Sequence, residues 1–230
     1  MAELWIGIDT GGTFTDIALA DARTGERWLH KVPTTPDDPA RGILEGIEAG
    51  LALAGRAAAD VAAVSHGTTL ATNAVLEGKW AKTGTITTLG FRDILDLARQ
   101  RRPSFFNLDI EKPTPPSLRG QRIEVRERIA HDGQTIDALD EAAVTDAAIA
   151  LRDMGCSAVS ICFLHSYANP AHERRAAALV RGVWPEAYLC ASSDILAEFR
   201  EFERFSTATV NASLMPLLDD YIARFETGLS

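Results

Sequence analysis

The amino-acid sequence predicts an α/β fold, with a mixed sheet that opens as a β-meander, a following βαβα segment and C-terminal helices. Three observations predict this class. Short apolar runs of strand length alternate with longer segments of helical spacing. The first three strand-like runs are separated only by turns. The later strand-like runs are separated by helix-length segments, and the chain closes with helical spacing alone.

The opening meander is predicted from three runs and two turns. Leu4–Ile8, Phe14–Ala20 and Arg27–Val32 have the length and apolar content of strands. Asp9-Thr10-Gly11-Gly12 separates the first two runs, and Thr24-Gly25 lies before the third. Neighbouring strands joined by such short turns pair with one another, so we expect an antiparallel start to the sheet.

The next part of the chain predicts alternating helices and strands. After a loop over Thr34–Pro39, a helix is expected to begin at Pro39 with Asp38 as its N-cap. The elements that follow are a strand over Val61–Ser65, a helix over Leu70–Glu77 closed by Gly78, a strand over Thr83–Thr88 and a helix over Phe91–Arg101.

A proline-rich loop is predicted over Arg102–Gly120, because its four prolines exclude continuous regular structure. Beyond it we expect a strand, a turn, the βαβα segment and two terminal helices. These are Ile123–Ile129, Asp132-Gly133, Leu139–Met154, Ala158–Leu164, Asn169–Val183, Ala187–Ala191, Asp194–Phe205 and Thr209–Phe225, the last running around Pro216.

Charge and composition narrow the function classes. The 230 residues carry a formal net charge of −9, which argues against non-specific binding to nucleic acid or to anionic membranes. No apolar run reaches the length of a membrane span, and the start of the chain lacks the pattern of a signal peptide. The three cysteines have no paired spacing, so no disulfide framework or zinc site is expected, and the cytoplasm is the expected compartment.

The segment Ile6–Asp16 predicts a phosphate site. A Gly-Gly turn between two strands lets backbone amides approach phosphate oxygens, because no Cβ stands in the way. The hydroxyl groups of Thr10, Thr13 and Thr15 can add donors to the amides of Gly11 and Gly12. Asp9, at the end of a strand, can hold Mg²⁺ directly or through water.

Other interpretations of this segment remain open. A Gly-Gly pair also suits an ordinary tight hairpin with no ligand. The segment is neither a Walker A loop nor a dinucleotide fingerprint, because it lacks Gly-Lys-Ser/Thr and a strand rather than a helix follows the glycines.

A second motif and three shorter segments identify a family. The Gly-Gly segment resembles the first phosphate loop of the actin, sugar-kinase and Hsp70 superfamily. The run Ser65–Leu76, containing His66-Gly67-Thr68-Thr69, resembles a segment of the hydantoinase/oxoprolinase superfamily. The segments that agree with this superfamily are Thr88–Asp93, His165–Glu173 and Arg200–Thr207.

The resemblance implies an actin-like ATPase (ribonuclease H-like) lobe and an ATP-dependent hydrolase of cyclic amides. The expected cofactors are ATP with Mg²⁺ or Mn²⁺. The expected catalytic residues are Asp9, also the metal ligand, and His66, a general acid or base or a substrate donor. The residues expected to line the substrate end are Gly67, Thr68, Thr69 and Asn73.

Family members are much longer than this chain and carry a second phosphate loop, which is absent after Gly12. We therefore expect residues 1–192 to be the N-terminal domain and residues 193–230 to be the helical start of the next domain. The expected partners are a small-molecule substrate and the rest of the subunit or a partner subunit, with a homo-oligomer also possible. The chain alone is expected to be inactive.

Purely structural roles also fit the same residues. His66 can cap a helix or bond the backbone, Thr68 and Thr69 can be ordinary N-caps, and Asn73 can be a packing residue. At the level of function, the alternatives are an ATP-dependent ketone carboxylase, a small-molecule kinase and a non-catalytic binding module.

Overall fold

The computed structural model describes residues 3–35, 38–100, 109 and 113–229. The chain divides into two compact units. The first unit combines Met1–Lys79 with Leu217–Ser230, and the second unit is Trp80–Pro216. The expected domains 1–192 and 193–230 refer to family domains in a longer protein rather than to these units, and they stay a prediction.

A four-stranded mixed sheet lies at the centre of the first unit. Its strands are β1 (Leu4–Thr10), β2 (Phe14–Asp21), β3 (Arg27–Pro33) and β4 (Val61–Thr68). They lie in the order β3-β2-β1-β4. The β1–β2 and β2–β3 pairs are antiparallel, which confirms the predicted meander, whereas β4 runs parallel to β1.

Helix α1 (Pro39–Ala54) packs against β2 and β3 and closes one side of the sheet. The enclosed side chains alternate along the strands at Leu4, Ile6, Ile8, Ile17 and Leu19, and they meet Ile43 and Ile47 of the helix. The helix begins at Pro39 as predicted. However, Asp38 makes no side-chain capping bond. The Thr35 hydroxyl replaces it by accepting a hydrogen bond from the Gly42 amide at 3.1 Å.

Strand β4 is longer than the predicted Val61–Ser65. It continues to Thr68 because it pairs with β1 as far as Thr10. His66, Gly67 and Thr68 are therefore strand residues. Helix α2 (Leu70–Glu77) then follows, and it ends as predicted at Gly78, whose φ of 66° is in the left-handed region that glycine tolerates.

The second unit is built on a parallel sheet. Its elements in chain order are β5 (Thr83–Thr88), α3 (Ile94–Leu97), β6 (Arg122–Val125), β7 (Arg128–Ile129), β8 (Thr135–Asp137), α4 (Glu141–Asp153), β9 (Ala158–Cys162), α5 (Ala171–Val183), β10 (Tyr188–Ala191), α6 (Ser192–Ile195) and α7 (Glu201–Leu229), which continues into the first unit beyond Pro216. The sheet order is β10-β9-β5-β6, and all three pairings are parallel.

The parallel sheet is covered on both faces, so β5 and β9 are buried along their whole length. One face packs against α4 and α5, with Leu151 and Val180 in its core. The other packs against the start of α7, where Phe205 and Ala208 contact the sheet. The predicted βαβα segment is thereby confirmed.

Three further predicted elements are wrong in extent. The helix expected over Phe91–Arg101 is reduced to α3, because Ala98 and Gln100 have positive φ angles that end it. The strand expected over Ile123–Ile129 is split. β6 stays in the parallel sheet, while β7 leaves it and pairs antiparallel with β8.

The third correction concerns Asp194–Phe205, which is not one helix. α6 ends at Ile195 and α7 begins at Glu201, with Arg200 at a φ of 82° between them. Phe205 is buried whereas Phe199 is exposed, so the two aromatic residues do not share one packed helical face. Pro216 lies inside α7.

Residues 101–108 and 110–112 lie outside the described part of the chain, so the prolines of the predicted loop are only partly covered. Among the residues that are described, no helix has both the length and the apolar content needed to cross a membrane.

Candidate functional site

The turn between β1 and β2, residues Thr10–Thr15, is called here the glycine corner. The Gly11 amide donates to the Phe14 carbonyl at 3.0 Å and closes the turn. A Cβ at Gly11 would lie 3.3 Å from that carbonyl oxygen, a tight approach that favours glycine. The amides of Gly12 and Thr13 have no acceptor among the described residues. Two backbone donors of the corner are therefore available to a ligand.

Thr34 holds the corner in place from the segment after β3. Its amide donates to the Thr13 carbonyl at 3.0 Å, and its hydroxyl donates to the Gly11 carbonyl at 2.9 Å. The Thr15 hydroxyl is 3.1 Å from the Thr34 hydroxyl. Thr15 is almost completely buried, so its side chain supports the corner from the core side.

A cavity of about 270 Å³ lies beside the corner within the first unit and is called the corner cavity. Six residues expected in the site line it, namely Thr10, Gly11, Gly12, Thr68, Thr69 and Asn73. The further lining residues are Thr34, Leu70, Ala74, Glu77, Lys79 and Leu217. Folding therefore brings the Gly-Gly segment and the start of α2 to one place, although they are far apart in sequence.

The start of α2 is tied to the end of β1. Both the amide and the hydroxyl of Thr69 donate to the Thr10 carbonyl, at 3.2 and 3.3 Å. The Asn73 side-chain amide donates to the Thr69 hydroxyl at 3.3 Å. It also lies beside Gly12, where a Cβ would be 3.7 Å from its nitrogen.

The first turn of α2 adds unused donors at the cavity. The Thr68 hydroxyl accepts from the Leu70 amide at 3.1 Å. In the described part of the chain, the amides of Ala71 and Thr72 have no acceptor. Amides at a helix N-terminus attract anions, so the start of α2, whose Thr69 and Leu70 line the corner cavity, suits a negatively charged group. Thr10 adds a hydroxyl that is buried without a hydrogen-bond partner.

His66 lies within β4 rather than after it, opposite Ile8 on the packed side of the sheet. Its Nε2 is hydrogen-bonded to the Tyr221 hydroxyl of α7, and its ring packs against Phe225 with centroids 5.5 Å apart. Burial lowers the pKa of His66, although the Ile8 carbonyl and the Asp9 carboxylate act in the opposite direction. The ring is therefore held mainly neutral near pH 7.

Asp9 faces the other, exposed side of the sheet. It stands opposite Asp16 on β2 and opposite Gly67 on β4, where a Cβ at Gly67 would be 3.8 Å from the Asp9 carboxylate. Asp16 forms an ion pair with Lys31 at 3.0 Å. Side chains alternate along a strand, so Asp9 and His66 point to opposite faces. The two residues expected to be catalytic are thus not brought together.

The fit of this face to a metal ion depends on carboxylates. Asp9 is exposed, and Asp16 is its cross-strand neighbour. Within the described ranges there is no group of three or more residues able to hold a metal. Mg²⁺ needs only one or two protein carboxylates when water and phosphate oxygens complete its shell, so these residues fit such an ion.

Comparison with known proteins identifies the family to which the chain belongs. Residues 5–184 match the family model described as the hydantoinase/oxoprolinase N-terminal region. The chain belongs to the hydantoinase/oxoprolinase family. The resemblance stated from the sequence motifs is therefore confirmed.

Two curated relatives and two solved structures illustrate the hydantoinase/oxoprolinase family. Caprolactamase subunit alpha of Pseudomonas jessenii is 37% identical, over 96% of this chain and 32% of its own length. The gamma subunit of acetophenone carboxylase from Aromatoleum aromaticum is 33% identical, over 91% of this chain and 31% of its own. The chain thus spans about a third of the length of these relatives.

The solved structures agree in fold. The ATP-dependent caprolactamase from Pseudomonas jessenii superposes with a TM-score of 0.86 and 35% identity, covering 98% of this chain and 33% of the other. Nucleotide-free acetone carboxylase, from work on ATP-dependent acetone carboxylation, gives 0.85 and 26%, covering 98% of this chain and 34% of the other. The mixed α/β architecture is therefore shared with both enzymes.

Several residues of this hydantoinase/oxoprolinase site were not identified from the sequence. Thr34 lies in a segment predicted only as loop, and Tyr221 in a segment predicted only as helix. Lys79, at the cavity edge, pairs with Glu77 at 2.7 Å. Their local sequence patterns contain no motif, so only the folded contacts bring them to the site.

The lowered pKa of His66 predicts a pH-dependent contribution to stability. In the folded state its pKa lies below the ordinary value of 6.5, so the unfolded chain binds this proton more tightly. Stability is therefore expected to fall as the pH drops through and below about 6.5. Thermal denaturation of wild type and His66→Gln, from about pH 7.5 to 5.5, measures it.

The comparison isolates His66 because the other histidines are present in both proteins. Any stability advantage of the wild type over His66→Gln is expected to shrink on acidification. A difference in melting temperature that stays constant over this range contradicts the assignment.

Proposed function

We propose that this chain is the N-terminal lobe of an ATP-dependent hydrolase of cyclic amides, of hydantoin or 5-oxoproline type, which activates the carbonyl by phosphoryl transfer. The observation that carries the proposal is the pair of unused amides at Gly12 and Thr13, next to the corner cavity. Membership of a family that includes an ATP-dependent caprolactamase supports it.

The corner supplies what phosphate oxygens need. The Gly12 and Thr13 amides donate from one side, and the Thr13 hydroxyl is exposed beside them. The first-turn amides of α2 donate from the other side of the cavity, where the helix dipole favours negative charge. We accordingly assign four residues to nucleotide binding, namely Thr10, Gly11, Gly12 and Thr13. Thr15 acts indirectly, because its hydroxyl contacts that of Thr34.

The remaining assignments concern the substrate. Thr68, Thr69 and Asn73 line the cavity at the start of α2 and can orient a small polar ring by hydrogen bonding. Gly67 keeps the surface beside Asp9 open, because it has no side chain. His66 is expected to act through Tyr221, since its Nε2 is engaged there.

Mg²⁺ or Mn²⁺ is the metal that fits best, and Asp9 is the residue that would hold it. A divalent ion neutralises phosphate charge during phosphoryl transfer. Asp9 and Asp16 offer carboxylate oxygens on one face, where water and phosphate oxygens can complete the coordination. Asp9 is unlike the other assigned residues in that it carries a negative charge, which suits a cation and repels phosphate.

The chemical reason for phosphoryl activation is the inertness of the amide. The amide nitrogen donates its lone pair into the carbonyl and thereby lowers its reactivity towards water. Phosphorylation of the carbonyl oxygen releases ADP and gives an imidate-like group with a good leaving group. Water then adds to the carbon, and the C–N bond breaks with the amine as leaving group to give an acyl phosphate. A second water hydrolyses the acyl phosphate to a carboxylate and phosphate.

We further assign the first unit to an actin-like lobe. Its mixed sheet, with three antiparallel strands and a parallel fourth, supports this. A second lobe with its own phosphate loop is expected from the rest of the subunit or from a partner, as the subunit names of the relatives suggest. The chain alone is then inactive. A cytoplasmic location is proposed because its three cysteines are free.

A ketone carboxylase is the second candidate. The likeness to acetone carboxylase and to the acetophenone carboxylase gamma subunit specifically favours it. The same phosphate corner would then activate a ketone or bicarbonate oxygen instead of an amide oxygen. The two candidates differ in the molecule that accepts the phosphoryl group, whereas the glycine corner would bind phosphate in both.

Product analysis of the complete enzyme tests the proposal. With ATP, Mg²⁺ and a panel of lactams, hydantoins and 5-oxoproline, ring opening with ADP release is expected, and this chain alone is expected to show negligible turnover. A carboxylated ketone as the only product selects the second candidate. A stable phosphorylated product indicates a kinase. Robust ATP hydrolysis by this chain alone contradicts the proposal that a second lobe is needed to complete the nucleotide site.

A further inference from the structure

Tyr221 is a residue of α7 whose hydroxyl enters a polar cluster beside the corner cavity. It is almost completely buried, and its hydroxyl is hydrogen-bonded to His66 Nε2. Its ring stacks on Phe225, with centroids 6.5 Å apart and planes nearly parallel. The hydroxyl therefore has a fixed position, set by packing on one side and by His66 on the other.

Two threonines of the cavity lie on the same face of the sheet as His66, because Thr68 follows His66 by two residues and stands opposite Thr10. Burial raises the pKa of Tyr221, whereas the nearby Thr68 and Thr10 hydroxyls lower it. Both threonines line the corner cavity. Thr10 is only 5% exposed, and its hydroxyl has no partner at normal hydrogen-bond distance. Burial of a hydroxyl without a hydrogen-bond partner is energetically unfavourable.

The hydrogen bond between His66 Nε2 and the Tyr221 hydroxyl can run in two directions, set by the His66 tautomer. We take Tyr221 as the donor, which requires an unprotonated Nε2 and a proton on Nδ1. Tyr221 then donates to His66 and is left with an oxygen that can accept. A threonine hydroxyl that donates to this oxygen turns its own oxygen lone pairs to the cavity.

We propose that Tyr221 is a positioning residue of the corner cavity, whose hydroxyl links His66 to the Thr10 and Thr68 hydroxyls and so sets how they face a bound phosphate group. The ligand part of this inference rests on the proposed function. The link from His66 to Tyr221 does not, because it is a property of the folded chain.

The first experiment tests the link itself. NMR of the ring nitrogens of ¹⁵N-labelled protein reports the tautomer of His66, and the His66→Gln variant identifies its signals. In wild type we expect one tautomer, with an unprotonated Nε2. Tyr221→Phe keeps the ring but removes the hydroxyl. In this variant we expect both His66 tautomers to be populated, so that the signals of the two ring nitrogens move towards each other.

The second experiment tests positioning. Inorganic phosphate is titrated into the chain while the Gly12 amide is followed by NMR. Loss of one hydrogen-bond link predicts a weakening of about five- to tenfold in Tyr221→Phe. Thr10→Val is expected to weaken binding similarly. The double variant is expected to show no further loss, because the two residues act through one link.

Tyr167→Phe is the matched control, because it removes a tyrosine hydroxyl from the second unit and leaves the ring that packs over Arg204. It should leave phosphate affinity and the His66 tautomer unchanged. An unchanged tautomer in Tyr221→Phe, or fully additive losses in the double variant, overturns the inference. If wild type does not bind phosphate, that result counts against the proposed function. The His66 tautomer then tests the link between His66 and Tyr221 by itself.

Discussion

Replacing Asp9 with asparagine in the complete enzyme is expected to lower ATP-dependent turnover by at least about a hundredfold, because metal-ion stabilisation of phosphoryl transfer contributes several kcal/mol. Asp9 is exposed at the end of β1 and faces Asp16 across the strand pair. Its amide counterpart keeps the shape but loses the charge that holds the ion. The apparent affinity for Mg²⁺ should fall together with turnover.

Stability separates a functional role of Asp9 from a structural one. Because its side chain is exposed, the variant should unfold within about 0.5 kcal/mol of wild type. Asp146→Asn makes the same chemical change on the exposed side of α4 and should leave both turnover and metal dependence unchanged. Normal turnover of Asp9→Asn at ordinary Mg²⁺ concentrations would remove Asp9 from the site.

The largest effect on stability is expected from Glu173→Ala in the second unit. Glu173 is completely buried at the start of α5. Its carboxylate accepts from the Phe163 amide at 2.8 Å, the Ser192 hydroxyl at 2.6 Å and the Ser193 amide at 2.8 Å. Removing it leaves these donors without their acceptor.

Arg204 increases the expected cost. It is also fully buried and donates to the Ser192 hydroxyl at 3.1 Å and to the Phe163 carbonyl at 2.8 Å. Glu173 and Arg204 thus share Ser192, and loss of the carboxylate removes a nearby negative charge from the surroundings of a buried cation. A loss of about 3–5 kcal/mol in the free energy of unfolding is expected.

Urea denaturation followed by circular dichroism measures this loss. Glu186→Ala, an exposed glutamate in the turn before β10, is the matched control and should change stability by less than about 0.5 kcal/mol. Glu173→Gln keeps an acceptor oxygen and should lose less than the alanine variant. A loss below about 1 kcal/mol for Glu173→Ala would show that the network does not stabilise the fold.

This network also explains what several family-like motifs do in this chain. Glu173 and Arg204 belong to the segments His165–Glu173 and Arg200–Thr207, and Thr88 begins a third. The Thr88 hydroxyl donates to the buried Glu127 carboxylate and accepts from the Leu164 amide at 2.8 Å. His172 lies 2.8 Å from the same carboxylate. Glu173 and Arg204 are thus joined through Ser192, and Thr88 and His172 through Glu127, so these motif residues stabilise the second unit.

The sequence by itself determined the features that depend on local chemistry. The β-meander follows from strand-length apolar runs separated by glycine turns, and α2 from helical spacing closed by Gly78. The strand β5 follows from its β-branched content, and the buried strand β9 follows from its continuous apolar run. The Gly-Gly segment likewise indicated a corner with open amides, because the missing Cβ is a property of the residues themselves.

Only the tertiary structure decided which side chains meet. It separated Asp9 from His66 by strand alternation, and it brought Tyr221 to His66 across 155 positions of sequence. It also split the expected strand over Ile123–Ile129, because β7 found its partner in β8 rather than in the parallel sheet. Such outcomes depend on contacts between distant segments, and no local pattern of residues specifies those contacts.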